Sequence, residues 1–134
     1  MMRRAASLIL VGLLALAGPA RAELSDGERQ TIECAATAVV VNASVERLVN
    51  LGADLSEQFQ VTVATAAEDL FFDADPLIDP GSEGAAELAR LFEALVTARD
   101  AAEDDGTFAT WFPQIVEVVQ TCHLAFLNRP EAGQ

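Results

Sequence analysis

Apolar residues recur along this chain at the spacing of an α-helix, and no stretch alternates as a β-strand does. Four segments repeat them in steps of three and four residues. The first two segments place them at Cys34, Ala38, Val41, Val45 and Leu48, and at Phe59, Val63, Ala66 and Leu70. The last two place them at Leu88, Leu91, Leu95, Ala98 and Ala102, and at Phe108, Phe112, Ile115, Val119, Cys122 and Phe126. Each segment predicts an amphipathic helix.

Capping residues precede these segments and helix breakers follow them. The expected N-caps are Ser25 or Asp26, Asp54 or Ser56, and Ser82. The expected ends are Gly52, Pro76 and Gly106. Pro113 lies inside the fourth segment and has no backbone N–H to donate. We therefore expect that helix to begin near Thr110 or Trp111, with Phe108 on a preceding turn.

Short connections, of about four to eight residues, join the four predicted helices. Such connections bring successive helices together as antiparallel neighbours. The sequence therefore predicts an all-α fold, an antiparallel up-down-up-down four-helix bundle over residues 23–134.

The two cysteines, Cys34 and Cys122, fit this topology. At about 1.5 Å per residue, Cys34 lies roughly 12 Å inside the first helix and Cys122 roughly 9 Å from the end of the last. The predicted bundle brings both to the same end, in apolar seams of antiparallel helices. We expect one structural disulfide that closes the bundle. Two free thiols are the first alternative, and a redox-active pair is disfavoured because no C-x-x-C spacing is present.

The first 22 residues have the organisation of a secretory signal peptide. Two arginines precede an apolar run over residues 8–17, which is too short to span a bilayer, and an Ala-Arg-Ala site follows. Cleavage after Ala22 leaves a single domain, residues 23–134, in the periplasm of a bacterium and without stable membrane insertion. That compartment permits a disulfide.

The chain is strongly acidic, with 21 acidic residues against eight arginines and no lysine. Three arginines lie in the signal peptide and every acid follows it, so cleavage changes the formal charge from −13 to −16. A surface of this sign repels phosphate backbones, so we expect no nucleic-acid partner. Within the third helix, Arg99 and Glu103 are four residues apart and are expected to pair.

The fourth helix also carries a fragment of a haem motif. Residues 119–123, Val-Gln-Thr-Cys-His, resemble the second half of the C-x-x-C-H attachment motif, which lies on the last helix of the exported four-helix bundles of the cytochrome c-prime family. The resemblance implies a single thioether link at Cys122 with His123 as proximal ligand. Val119 replaces the first cysteine, and the link would leave Cys34 unpaired. We therefore expect no cofactor, and a histidine at the edge of a helix seam.

The loop between the second and third helices is a weak candidate for calcium. Its four carboxylates lie within 11 residues, at Asp73, Asp75, Asp79 and Glu83. Hard cations take oxygen ligands at such spacing. Against an EF-hand pattern, however, Leu77 replaces a ligand, Ile78 the turn glycine and Gly84 the final glutamate. A solvated acidic turn is the main expectation and weak calcium binding the alternative.

Catalytic residues are scarce in this sequence, which has one histidine, no tyrosine and no G-x-S-x-G elbow. The adjacent acids Glu68 and Asp69 point in different directions on a helix, as do Asp104 and Asp105, and both pairs are expected on solvated faces. No phosphate-binding glycine loop and no zinc spacing is present. We expect that the protein is not an enzyme.

Apolar surface is the remaining candidate for function. The predicted bundle gathers one aromatic set at the end opposite the disulfide, at Phe59, Phe108, Trp111 and Phe112. A second set gathers at the disulfide end, at Phe71, Phe72 and Phe126. Such aromatics plug a core or line a small apolar pocket or partner surface.

A second apolar face on the first helix comprises Ile32, Ala36, Val39, Val40 and Ala43. Either this helix is deeply packed, which we favour, or this face forms a homodimer.

Together these patterns predict a non-enzymatic binding or protein-interaction module of the bacterial periplasm, with an unknown protein or a small apolar ligand as partner. The alternative is an acid-stress chaperone, which is similar to small two-cysteine periplasmic acid chaperones at the level of fold alone. Its carboxylates would protonate between about pH 5 and pH 3, and the loosened fold would expose apolar helix faces.

Overall fold

The computed structural model describes residues 23–130, and the predicted signal peptide, residues 1–22, lies outside them. The described chain is all-helical, with α1 over Asp26–Asn50, α2 over Glu57–Ala74, α3 over Glu83–Asp105 and α4 over Phe108–Leu127. A short 3-10 helix, Asp75–Leu77, follows α2. None of these helices combines the length and the apolarity that crossing a membrane requires.

Side-chain caps fix three of the helix starts. The Ser25 hydroxyl accepts the backbone N–H of Glu28 at 3.0 Å, and the Glu28 carboxylate accepts that of Ser25 at 2.9 Å, a complete capping box. Ser56 and Ser82 each accept the backbone N–H three residues further along, at 3.1 Å. Gly106 ends α3 at φ 75°, a left-handed conformation that favours glycine. These serine caps and this glycine were predicted.

The predicted start of α4 is wrong. The helix begins at Phe108 and includes Pro113. Proline removes one donor from the helix, which leaves the carbonyl of Ala109 without its usual partner. Both Ala109 and Pro113 are exposed, so water can satisfy that carbonyl and the helix continues.

The predicted fold class, an antiparallel up-down-up-down four-helix bundle closed by one disulfide, is confirmed. Arg29 lies 3.4 Å from Glu87, and Arg47 lies 3.3 Å from Glu103, so α3 runs parallel to α1. The disulfide joins the first part of α1 to the last part of α4, so these two helices are antiparallel. Glu103 therefore pairs with an arginine of α1. The predicted pair of Arg99 and Glu103 does not form, and Arg99 pairs with Asp100.

The helices are not arranged as a ring of successive neighbours. Helix α1 contacts α2, α3 and α4, and α4 also contacts both α2 and α3, whereas α2 and α3 share at most marginal contact. The connection between α2 and α3 therefore does not make antiparallel neighbours of them, contrary to the expectation from its length. Helix α1 is the central element of the described chain.

The main hydrophobic core comes from three helices. Its buried members are Ala38, Val41 and Val45 of α1, Val63, Ala66, Ala67 and Leu70 of α2, and Val116 and Val119 of α4. Helix α3 contributes nothing to this cluster, and only its Gly84 and Ala102 are buried. Its larger apolar side chains are half-buried, so α3 packs on the outside of a three-helix core.

The second apolar face of α1 is largely covered by the chain itself. Ile32, Ala36 and Val40 are buried, Val39 is half-buried and Ala43 is exposed. Helix α3 contacts α1, and its Gly84 lies against Ile32 of this face. The deep packing of α1 that we favoured explains why these three side chains are buried. A homodimer through this face stays a prediction.

Candidate functional site

Cys34 and Cys122 form the predicted disulfide across 88 residues of chain, with their Cα atoms 5.9 Å apart. Both cysteines are half-buried, and open grooves of about 390 and 290 Å³ flank the bond. The disulfide joins α1 to α4 at the end of the bundle where α1 begins.

The residues of the haem motif are engaged in other bonds. The sulfur of Cys122 is bonded to Cys34, and Nε2 of His123 lies 2.8 Å from Oδ2 of Asp69. A thioether at Cys122 would require the disulfide to open, and an iron ligand at Nε2 would displace Asp69. The residues present do not fit a haem.

The candidate calcium loop, Asp73, Asp75, Asp79 and Glu83, is not assembled as a cation site. Arg129 donates two hydrogen bonds to the carboxylate of Asp73, at 3.0 and 3.2 Å, which occupies that carboxylate. Asp75 lines an opening between α1 and α2. Across residues 23–130, no three His, Cys, Asp or Glu side chains are grouped so as to hold a metal ion.

The four aromatic side chains of the set opposite the disulfide are half-buried, and Phe59 and Phe112 pack against the core. The ring of Phe108 lies 5.6 Å from that of Trp111 and 5.3 Å from that of Phe112, so these three form a cluster within α4. Phe59 instead lines a groove between α2 and α4. Of the set at the disulfide end, Phe126 packs against the core and Phe72 is 78% exposed. Phe72 therefore does not plug the bundle.

A groove between α2 and α4, called here the α2–α4 groove, has a mostly apolar lining. It has a volume of about 280 Å³. Its floor is aliphatic and buried, formed by Val63, Ala66, Val116 and Val119. Its remaining lining residues are Phe59, Thr62, Gln120, His123 and Leu124. Leu124 is 60% exposed, so one apolar wall is in contact with water.

His123 lines this groove, and its imidazole is hydrogen-bonded to Asp69, three positions beyond the lining residue Ala66 on α2. Because a carboxylate can only accept, Nε2 of the imidazole is the donor in this 2.8 Å bond. The other face of the pair is held by Phe126, whose ring stacks on the imidazole at 6.3 Å and lies 4.7 Å from the guanidinium of Arg129. The imidazole is therefore fixed in orientation at the end of the groove.

Sequence reasoning missed this pair, since it placed Asp69 on a solvated face and His123 at a seam edge. The residues are 54 positions apart, and neither belongs to a local motif. The predicted up-down-up-down topology did contain a signal for this pair, because it makes α2 and α4 run in the same direction beside the same core. Residues at equal depth on their facing edges can meet.

The pair resembles two parts of a nucleophile-activating triad, in which a carboxylate orients a histidine. The third part is not in place, because no serine or threonine hydroxyl of residues 23–130 hydrogen-bonds the imidazole, and both cysteines are bonded to each other. The arrangement offers hydrogen bonding and charge to a ligand in the groove.

A second polar feature joins α3 to α1. The guanidinium of Arg90, assisted by that of Arg29, holds the pKa of the Glu87 carboxyl below its ordinary value, against the opposing effect of burial. The same carboxylate raises the pKa of Arg90, with Glu33 of α1 contributing. This row of alternating charges lies where α3 begins, beside the buried face of α1.

Comparison of the chain with protein-family models, with curated proteins and with solved structures found no match.

Proposed function

We propose that this protein is an exported, non-enzymatic binding module of the bacterial periplasm, and that it takes a small apolar ligand in the α2–α4 groove. The observation that carries the proposal is the aliphatic floor of the groove, four buried side chains beneath an exposed leucine. Concave apolar sites with a few fixed polar groups are typical of small-molecule binding. The Asp69–His123 pair supplies such a group.

A titration with 1-octanol tests the groove. The alcohol is uncharged, so its binding reports apolar contact without attraction to the acidic surface. We expect amide resonances of α2 and α4 to shift in a heteronuclear NMR spectrum, and those of α3 to remain in place. Shifts spread evenly over the surface, or no shifts up to the solubility limit, would remove the proposal.

Two variants make the titration specific. Thr62 is exposed and lines the groove, so Thr62→Trp fills the site without disturbing the core. Thr65 is also exposed on α2 but lies outside the groove lining, so Thr65→Trp is the matched control. We expect Thr62→Trp to abolish octanol binding and Thr65→Trp to leave it unchanged.

Export is the second part of the proposal and rests on residues 1–22. Expression of the full chain in a bacterium tests it. We expect the periplasmic fraction to contain a protein whose mass corresponds to a start at Glu23, after the predicted cleavage at Ala22. A cytoplasmic protein that retains all 134 residues would contradict it.

An acid-stress chaperone is the second candidate, favoured by how α3 is attached. The ion pairs Arg29–Glu87 and Arg47–Glu103 join α3 to α1, and protonation of the glutamates removes both. Release of α3 would expose Ile32, Ala36 and Val40, the kind of apolar face that binds unfolded chains. Relief of repulsion among the many acids opposes this release.

Near-UV circular dichroism and binding of a hydrophobic dye at pH 3 decide between these opposed effects. A chaperone of this kind loses its near-UV signal, binds dye and keeps its disulfide. An unchanged spectrum without dye binding would leave the groove-binding module as the function.

A further inference from the structure

We propose that the ligand of the α2–α4 groove is a small apolar amine, whose protonated nitrogen lies at Asp69 and whose hydrocarbon part lies on the aliphatic floor. This inference rests on the proposed function and specifies the chemical class of the ligand. It follows from the acceptors at the polar end of the groove, from the charges around it and from its size.

The polar end presents acceptors. Oδ2 of Asp69 accepts from Nε2 of His123, and Oδ1 accepts no hydrogen bond from any residue of the range 23–130. The side chain of Asp69 is 35% exposed, so Oδ1 can be reached. An ammonium group has three donors and no acceptor, and it can donate to Oδ1 of Asp69.

The surroundings oppose an anionic ligand. Helix α2, Glu57–Ala74, contains no arginine, lysine or histidine. Within residues 23–130 no arginine lines the groove. Arg129, which lies beyond the His123 end, is bound to both oxygens of Asp73 and covers the Phe126 ring. A carboxylate head group would therefore meet Asp69 without an arginine to pair with, whereas an ammonium meets complementary charge.

The groove also limits the length of the ligand. At about 30 Å³ per heavy atom, the volume a water molecule takes in the liquid, a site of about 280 Å³ holds roughly nine or ten heavy atoms. An eight-carbon chain with one polar head group has this size. Long acyl chains would extend past Leu124 into water.

Three ligands of equal length test the inference by NMR titration at constant ionic strength: octylammonium, 1-octanol and octanoate. We expect octylammonium to bind at least tenfold more tightly than 1-octanol, and octanoate to bind more weakly than the alcohol. If the three bind equally, or if octanoate binds best, the amine inference is overturned while the apolar site stands. If none of them binds, the proposed function fails as well.

Two charge-neutralising variants separate a local contact from the general attraction of an acidic protein. Asp69→Asn keeps the shape of the side chain and an acceptor for His123. Glu68→Gln removes the same charge from the neighbouring residue, which lines the opening on the α1 side of α2. We expect Asp69→Asn to lower octylammonium affinity to that of 1-octanol and Glu68→Gln to change it less than twofold. Equal losses in both variants would show that net charge alone sets the preference and would refute the site.

Discussion

Helices α1, α2 and α4 share a core of buried aliphatic side chains and a disulfide, whereas α3 buries only its first and last small residues. The large side chains of α3 are half-buried, and its ties to α1 include ion pairs of arginines that are about half exposed. Apolar burial contributes roughly 25 cal/mol per Å² removed from water, while exposed ion pairs contribute at most about 1 kcal/mol. The two regions therefore differ in how strongly they are held.

From this difference we expect that the bundle does not open as one unit. Local stability follows the density of buried apolar contacts, so α3 can detach while the other three helices stay closed. The candidate ligand site lies between α2 and α4, inside the strongly held region. The row of ion pairs joins α1 to α3, the weakly held helix. The two proposed functions, ligand binding and acid response, thus concern different parts of the molecule.

Removal of the disulfide has the largest expected effect on this comparison, because it weakens the strongly held region. The Cys34→Ser, Cys122→Ser double variant frees a loop of 88 residues, which on the chain-entropy model costs about 4 to 5 kcal/mol of unfolding free energy. Urea denaturation measures the loss. The natural chain in excess reductant is the control and should lose the same amount. A loss below about 1 kcal/mol would mean that the bond does not constrain the unfolded chain as described.

A matched pair of leucine truncations compares the two regions directly. Leu70 of α2 is buried in the core, and Leu91 of α3 is half-buried outside it. We expect Leu70→Ala to cost about 3 to 4 kcal/mol and Leu91→Ala about 1 kcal/mol, because a truncation costs most where it leaves a cavity. Both values come from urea denaturation under identical conditions. Equal costs would show that α3 is part of the main core.

The sequence predicted the four helices, their serine caps and the disulfide, because periodicity, caps and cysteine depth are local signals that each helix carries by itself. It did not predict that α2 and α3 stand apart, since a short connection limits distance without fixing which faces meet. The predicted partner of Glu103 was Arg99, whereas the observed partner is Arg47, and this difference has the same origin. Pairs across helices depend on rotation about each helix axis.

The candidate site was less predictable than the fold. Phe59 was identified as a pocket residue, but its expected companions on α4 cluster with one another instead. The Asp69–His123 pair needs two helices at matching depth and rotation, and a change of one residue in register would separate them. Sequence spacing does not determine the depth or the rotation of either helix to within one residue.

Gly84→Ala tests how α3 is seated where it begins. A Cβ atom at this position would overlap the carbonyl oxygen of Leu77 and come within 3.2 Å of Ile32 Cδ1. The backbone would have to move, and we expect a loss of about 1 to 3 kcal/mol, confined to α3 in a hydrogen-exchange measurement. Gly27→Ala, where a Cβ atom would meet only Oγ of Ser25 at 4.0 Å, is the control and should be neutral or stabilising by up to about 1 kcal/mol. Full tolerance of Gly84→Ala would show that α3 is not held at Leu77.

Glu87→Gln has the smallest expected effect and isolates the polar attachment of α3. Since Arg90 and Arg29 hold the folded pKa of this carboxyl below its ordinary value of 4.5, the charge stabilises the fold above that pH. The stabilisation is lost as the pH falls through the lowered pKa, where natural and variant chains become alike. We expect a loss of at most about 1 kcal/mol at pH 7 that disappears once the pH has fallen below the lowered pKa, measured by urea denaturation.

The control for this variant must remove a negative charge from the same helix without breaking an ion pair, because any such removal also reduces repulsion within an acidic protein. Glu93→Gln does so at an exposed position of α3. We expect it to be neutral or slightly stabilising at pH 7, opposite in sign to Glu87→Gln. Hydrogen exchange should then show faster opening of α3 amides in Glu87→Gln alone, with α2 amides unchanged. Equal acceleration in α2 and α3 would mean that the charges at Glu87 stabilise the whole bundle, and that α3 has no separate opening step.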